Sequence, residues 1–150
     1  MAKENLIIED AHIMFRNFAG KEQKFNAAGN RNFCVALNAE DAELLKAQGW
    51  NVRFLKPRDP EDDPLPYLQV AVEYGKGRPP KIVQITSAGQ TVLDQDTVSA
   101  LDWAELENVD LNISPYHYEV NGRKGIKAYL QSAYITLLED ELERKYAAEM

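Results

Sequence analysis

The strongest constraint on the fold is the dipeptide Asn121-Gly122, set between two long alternating runs, Asp110 to Val120 and Gly125 to Leu137. Asn-Gly accepts positive φ at both central positions of a type I′ turn, whose twist matches that of paired antiparallel strands. The two runs are therefore predicted to form one long hairpin. Pro115 lacks an amide hydrogen, which calls for a bulge or an edge position in the first of these strands. On the second strand, Lys127, Tyr129 and Gln131 share one face while Ala128, Leu130 and Ser132 share the other.

Upstream, short strand patterns are punctuated by Gly, Pro and Asn. Leu6 to Arg16 reads as a first strand, and Arg31 to Leu37 as a half-buried second one, with a loop carrying Gly20 and Gly29 between them. Asn38 is an N-cap for a helix over Ala39 to Gln48, which Gly49 ends. Trp50 to Lys56 is extended, with Trp50 read as a packing anchor. Pro57 to Pro66 holds four prolines and an acidic cluster, hence an exposed, semi-rigid loop. Tyr67 to Tyr74 alternates with Leu68, Val70 and Val72 inward, and Ile82 to Thr86 is a further strand. A short helical turn is placed around Leu101-Asp102-Trp103, with Trp103 in the core. The expected architecture is mainly β: an OB-like, partly open five-stranded barrel with one short helix, long loops and an acidic C-terminal segment. A β-sandwich is the rival. Residues 1–138 form the domain, and 139–150 an acidic helix or tail.

At 150 residues and 45% hydrophobic content, one domain with a real core is expected. No apolar run approaches the roughly 18 to 20 residues that cross a bilayer, and Met1 to Glu4 leads into no secretory h-region. A cytoplasmic protein with no membrane partner is the expectation. Cys34 has no second cysteine to pair with, and within Phe33-Cys34-Val35 it reads as a small packed hydrophobe. The formal net charge of −7 is unevenly spread. Asp59, Glu61, Asp62 and Asp63 supply −4 of it, and the last twelve residues supply −3, so the rest of the chain is neutral. Such a remainder, with locally basic loops, is compatible with a polyanionic ligand.

Enzyme signatures are nearly absent. His12 and His117 are the only histidines, and neither has Cys or carboxylate neighbours at metal-ligand spacing. No Walker-type phosphate loop and no dinucleotide fingerprint occur. Glu9-Asp10 and Asp94-Gln95-Asp96 are pairs that a two-metal nuclease could use, but acids at strand ends are ordinarily solvated. No enzyme, no metal and no cofactor are expected.

What stands out instead is Phe15 to Phe33, where four phenylalanines, four asparagines and four cations interleave with Glu22 as the sole acid. Aromatic faces stack on unpaired bases, cations neutralise the accompanying phosphates, and amides bond base edges or sugars. Two further basic-aromatic groups follow. One is Tyr74 to Lys81 with Lys76, Arg78 and Lys81. The other is the hairpin, with Tyr116 and Tyr118 before the turn and Arg123, Lys124, Lys127 and Tyr129 after it. Arg16, Lys21, Lys24, Arg31, Lys76, Arg78, Lys81, Arg123, Lys124 and Lys127 are the candidates for backbone charge. Phe18, Phe25, Tyr116 and Tyr129 are the candidates for stacking. Phe33 reads as core, Phe15 fits core or surface equally, and Lys46 and Arg53 read as solubilising.

At these residues a family resemblance emerges. The segments Phe15-Arg16-Asn17-Phe18, Phe25-Asn26, Gly29 to Phe33 and Gly49-Trp50-Asn51-Val52 resemble the small single-stranded DNA-binding proteins of tailed bacteriophages. Leu101-Asp102-Trp103, Asn108 to Leu111, Pro115-Tyr116 and Gly125 to Leu130 extend the likeness over nearly the whole chain. The resemblance implies an OB-fold that coats replication or recombination intermediates, with no cofactor and no turnover. It also implies an acidic C-terminus that recruits replication or recombination proteins, here through Glu139, Asp140, Glu141 and Glu143. The ending Lys145 to Met150 lacks the short acidic-then-phenylalanine tip of bacterial housekeeping proteins, which argues against recruitment by that route. A homo-oligomer is compatible with the sequence. The competing reading is an acidic protein-interaction module or inhibitor that acts on a host protein.

Overall fold

The computed structural model describes residues 5–22, 29–75, 79–142 and 145. The predicted hairpin dominates it. Strand β8 (Leu106–Val120) and strand β9 (Arg123–Leu137) pair antiparallel from Val120↔Arg123 back to Leu106↔Leu137. Asn121 and Gly122 both take positive φ, 53° and 78°, as the turn chemistry requires.

The remaining strands attach to this ribbon in one sheet. They are β1 (Leu6–Ile8), β2 (Ile13–Asn17), β3 (Arg31–Ala36), β4 (Val52–Leu55), β5 (Leu65–Val72), β6 (Lys81–Thr86) and β7 (Gly89–Leu93). The path runs β1-β8-β9-β5-β3-β2, with β4 on β5 and the β6–β7 hairpin on β9. No pairing of β1 with β2 closes it among the described residues, so the sheet is a partly open barrel and not a sandwich of two sheets.

Among the described residues nine strands replace the expected five. The run Leu6 to Arg16 breaks in two at Asp10, whose φ is 50° and whose amide donates to the Asp110 carboxylate. Strand β7 escaped prediction because all its residues but Leu93 are exposed, so it has no alternating apolar signal.

A bulge in β9 shapes the barrel. Asn112 faces Ser132 and Ile113 faces Leu130, which leaves Gln131 as an extra residue in β9. Ala128 and Leu130 point into the core before it, Ala133 and Ile135 after it, so Ser132 is not on the inward face assigned from alternation. At the same place β9 changes partner, from β5 at Val70↔Ala128 to β6 at Lys81↔Ser132. Pro115 sits beyond the β1 pairing, which ends at Ile113, where β8 has one partner strand among the described residues.

The helix α1 (Ala39–Gln48) follows its sequence signals closely. The Asn38 side chain accepts from the Asp41 amide at 2.7 Å, and Gly49 closes the helix at φ 103°. Trp50 is buried, and its backbone bridges to Ile126 on β9, which fixes the helix end against the hairpin. The core runs through Phe33, Val35, Leu68, Val70, Ile113, Ala128 and Ile135. Cys34 is buried too, and burial pushes its thiol up to about 11, which keeps it neutral and poorly nucleophilic.

Candidate nucleic-acid interface

In a β-strand every second side chain leaves the core, and directly paired residues share a face. Phe33, Val35, Val70 and Ala128 point inward, so Asn32, Gln69, Ala71 and Tyr129 point out. Arg53, opposite Tyr67, extends this outward face onto β4. Lys127, opposite Tyr116, extends it onto the hairpin. The result is a polar cleft of about 430 Å³ lined by Arg31, Arg53, Lys127, Asn32, Asn51 and Gln69 among others. Its far wall carries Tyr118.

Tyr118 is held in place by a glycine. The Asn51 side-chain amide donates to the Tyr118 hydroxyl at 2.9 Å, and the ring crosses Gly125. A Cβ on Gly125 would stand 2.5 Å from that hydroxyl and 2.7 Å from the Asn51 Oδ1. Both groups would have to swing away. Gly125→Ala is therefore expected to weaken single-strand binding about fivefold to tenfold, the lower end of what one lost stacking contact costs. Its melting temperature should change little, because the displaced atoms are side-chain ends. A circular-dichroism melt beside an anisotropy titration checks both halves; unchanged affinity would remove Tyr118 from the interface.

Aromatic pairs flank the cleft. Tyr116 and Tyr129 meet edge-to-face with centroids 5.7 Å apart, and the Lys127 ammonium lies 5.0 Å from the Tyr129 ring. They line a neighbouring cleft of about 450 Å³ with Ser114, Pro115 and Gln131. At the opposite end Phe15 packs edge-on to Tyr67 at 6.5 Å. Phe15 is exposed and adopts φ 51°, a conformation that bulky residues rarely take. The register of β2 on β3 shifts there, between Met14 and Asn17, so a bulge turns Phe15 outward. From Tyr67 to Ala71, beside which Tyr129 lies, is four residues of β5, or roughly 13 Å. That length accommodates a few stacked bases.

The predicted site residues divide into groups. Arg31 and Lys127 line the central cleft, and Tyr116 and Tyr129 flank it. Arg123 and Lys124 are exposed at the tip of the hairpin, and Lys81 is exposed on β6 and does not line the central cleft. Lys21 is exposed on the loop after β2. Lys24, Phe25, Lys76, Arg78 and Glu143 lie outside the described residues.

Two assignments are corrected. Phe18 is 1% exposed and stacks on Phe33, so it is core and not a loop platform. Arg16 turns inward: its Nη1 donates to the carbonyls of Leu101 and Ala104 at 2.8 and 2.7 Å. It fastens β2 to the 3-10 helix Val98–Asp102 instead of presenting its charge for a phosphate. Arg31 is doubly used, since its Nη1 donates to the Phe18 carbonyl while its guanidinium lies 5.3 Å from the Tyr74 ring.

Residues that the sequence reading missed are Asn51, Arg53, Gln69 and the Phe15–Tyr67 pair. Arg53 was read as solubilising because nothing in Trp50 to Lys56 reveals that β4 joins β5 next to the hairpin. Trp103 was placed in the core yet is 78% exposed. In a 3-10 helix residues three apart share a face, so Val98 and Leu101 are buried and Trp103 points away.

In the second carboxylate pair, Asp94 has a local role. Asp94 accepts from the Thr97 hydroxyl and from the amides of Asp96 and Thr97, and the Thr97 hydroxyl bond lowers its pKa. No group of His, Cys, Asp and Glu that could hold a metal occurs among the described residues. No helix among them is long and apolar enough to cross a membrane.

A family model, the phage ssDNA-binding domain, matches residues 1–149. The chain belongs to that family. No curated protein sequence matches the chain. Among solved structures it is similar to the single-stranded DNA-binding protein from bacteriophage Enc34, with a TM-score of 0.55 at 9% identity, covering 93% of this chain and 84% of that one. It is similar to the same phage protein in complex with ssDNA, with a TM-score of 0.56 at 10% identity, covering 93% and 89%. At such identity the likeness concerns the fold. This phage ssDNA-binding domain thus carries its cleft on the outward face of β3, β4, β5 and the hairpin.

Proposed function

We propose that this phage ssDNA-binding domain binds and coats single-stranded DNA, largely without sequence preference, during phage DNA replication or recombination. The observation that carries the reading is the cleft itself. Arg31, Arg53 and Lys127 sit among Asn32, Asn51 and Gln69, with tyrosines on its wall and flank. Cations there track phosphates, while aromatic faces accept any base because every base has a π-face. The chain acts by occupying the strand, without turnover or cofactor, in the host cytoplasm. The family to which the chain belongs supports the ligand class, as does the ssDNA complex of the Enc34 protein that shares its fold.

The segment after β9 is the protein-facing element of this reading. Glu139 is fastened to the β6–β7 turn by the Ser87 amide and hydroxyl, while Asp140 and Glu141 are exposed. They would meet replication or recombination proteins by charge.

Titrating a fluorescent oligo-dT at rising salt tests the function. Binding should be clear at low salt and should weaken as salt rises, with a slope of about 0.7 per neutralised phosphate. Absence of binding at low salt, or indifference to salt, would overturn the assignment. Recovery of one stoichiometric host protein with no DNA affinity would favour an interaction module instead.

A further inference from the structure

We propose that Trp103 and Lys21 form a second base-stacking station, which continues the strand's path beyond the cleft. The inference rests on the single-strand-binding reading and extends it to a site on a different part of the fold. Trp103 is 78% exposed, the most exposed of the large apolar side chains among the described residues. The Lys21 ammonium lies 5.1 Å from the centre of its ring. An exposed indole beside a cation is the chemistry that takes an unpaired base and its phosphate together.

The indole is mounted on a rigid base. Arg16 donates to the carbonyls of Leu101 and Ala104, which bracket Trp103 in the chain. Asp102, immediately before it, accepts from the amides of Phe18 and Ala19 at 2.6 and 3.1 Å. The flanks of Trp103 are thus bonded to β2 and its following turn, while the ring itself is left in solvent. Fixing an aromatic platform before the ligand arrives lowers the ordering cost of binding.

The station adjoins the cleft through two links. Asn17 pairs with Asn32, which lines the cleft, and the Asn17 side chain exchanges hydrogen bonds with the Lys21 backbone. Gly20 packs against the Arg31 side chain so closely that a Cβ there would lie 3.1 Å from Arg31 Cγ. A strand leaving the cleft past Arg31 therefore reaches Lys21 and Trp103 next. The cation decides for nucleic acid as occupant over an apolar protein surface.

Intrinsic fluorescence reads this directly, because Trp50 is buried and Trp103 supplies the solvent-exposed emission. Adding oligo-dT of about 20 nucleotides, longer than the usual site of one such fold, should quench the wild-type emission. In Trp103→Phe the quench should vanish while most of the affinity stays. In Trp103→Ala the affinity should fall about tenfold. For oligonucleotides of about 6 nucleotides, which the cleft holds alone, Trp103→Ala should bind as wild type does. Wild-type emission unmoved by a strand that binds, or full affinity in Trp103→Ala for the long strand, would overturn the station and leave the cleft reading intact. A change in sedimentation with unchanged affinity would also overturn it, marking Trp103 as a contact between copies. Failure of the wild-type chain to bind any oligonucleotide would overturn the cleft reading first, and the station with it.

Discussion

Replacing Arg53 and Lys127 together by alanine should weaken oligo-dT binding about 10- to 100-fold at low salt, and the salt slope should fall by about 1.4. Both side chains are exposed and both line the central cleft. Arg53 comes from β4 and Lys127 from β9, and these two strands share one edge of β5 in succession. A strand lying along that edge would meet both charges, and each neutralised phosphate contributes about 0.7 to the slope. Neither side chain is buried, so the melting temperature should stay within about 2 °C of wild type. Lys81→Ala serves as the comparison, because Lys81 is also exposed but stands on β6 and does not line the central cleft. Equal losses in the two variants would mean diffuse attraction and no defined groove. Wild-type affinity in the double variant would exclude the cleft from the interface.

The contrast between Arg53 and Arg16 also marks where sequence reading succeeds. Local signals were legible where one stretch of chain contains the whole cause. Asn121-Gly122 dictated its turn, and Asn38 and Gly49 bounded their helix. The alternation in Tyr67 to Tyr74 named its buried face correctly. What could not be read depends on partners distant in sequence. The Gln131 bulge reverses the faces of β9 halfway along, and it coincides with the change of partner from β5 to β6. Alternation counted through the strand therefore assigns Ser132 to the wrong side. The Phe15 bulge acts the same way on β2, turning Phe15 out and leaving Arg16 to reach inward. Composition did pick out side chains that share one surface, since Arg31, Lys127, Tyr116 and Tyr129 gather in or beside the clefts. It could not supply Asn51 and Arg53, which arrive only when β4 is laid against β5.

Arg16→Ala should lower stability by about 2 to 3 kcal/mol, a fall of roughly 5 to 10 °C in melting temperature for a chain of this size. From the sequence alone, an arginine at a strand end beside two phenylalanines and an asparagine reads as a phosphate ligand, whose loss would spare stability. The geometry reverses that expectation. One guanidinium nitrogen serves the carbonyls of Leu101 and Ala104, at 2.8 and 2.7 Å, in a partly buried setting. Alanine leaves both carbonyls without that charge-assisted partner, and such bonds are worth more than neutral ones. Asp102 still holds the amides of Phe18 and Ala19, so the 3-10 helix should loosen at its end and not detach. Thermal melts of Arg16→Ala and Arg53→Ala side by side separate the two roles. The first should melt early, with binding per folded molecule reduced only through the displaced Trp103. The second should melt like wild type and bind weakly. An Arg16→Ala chain with an unchanged melting temperature and a reduced salt slope would return Arg16 to the phosphate-binding set.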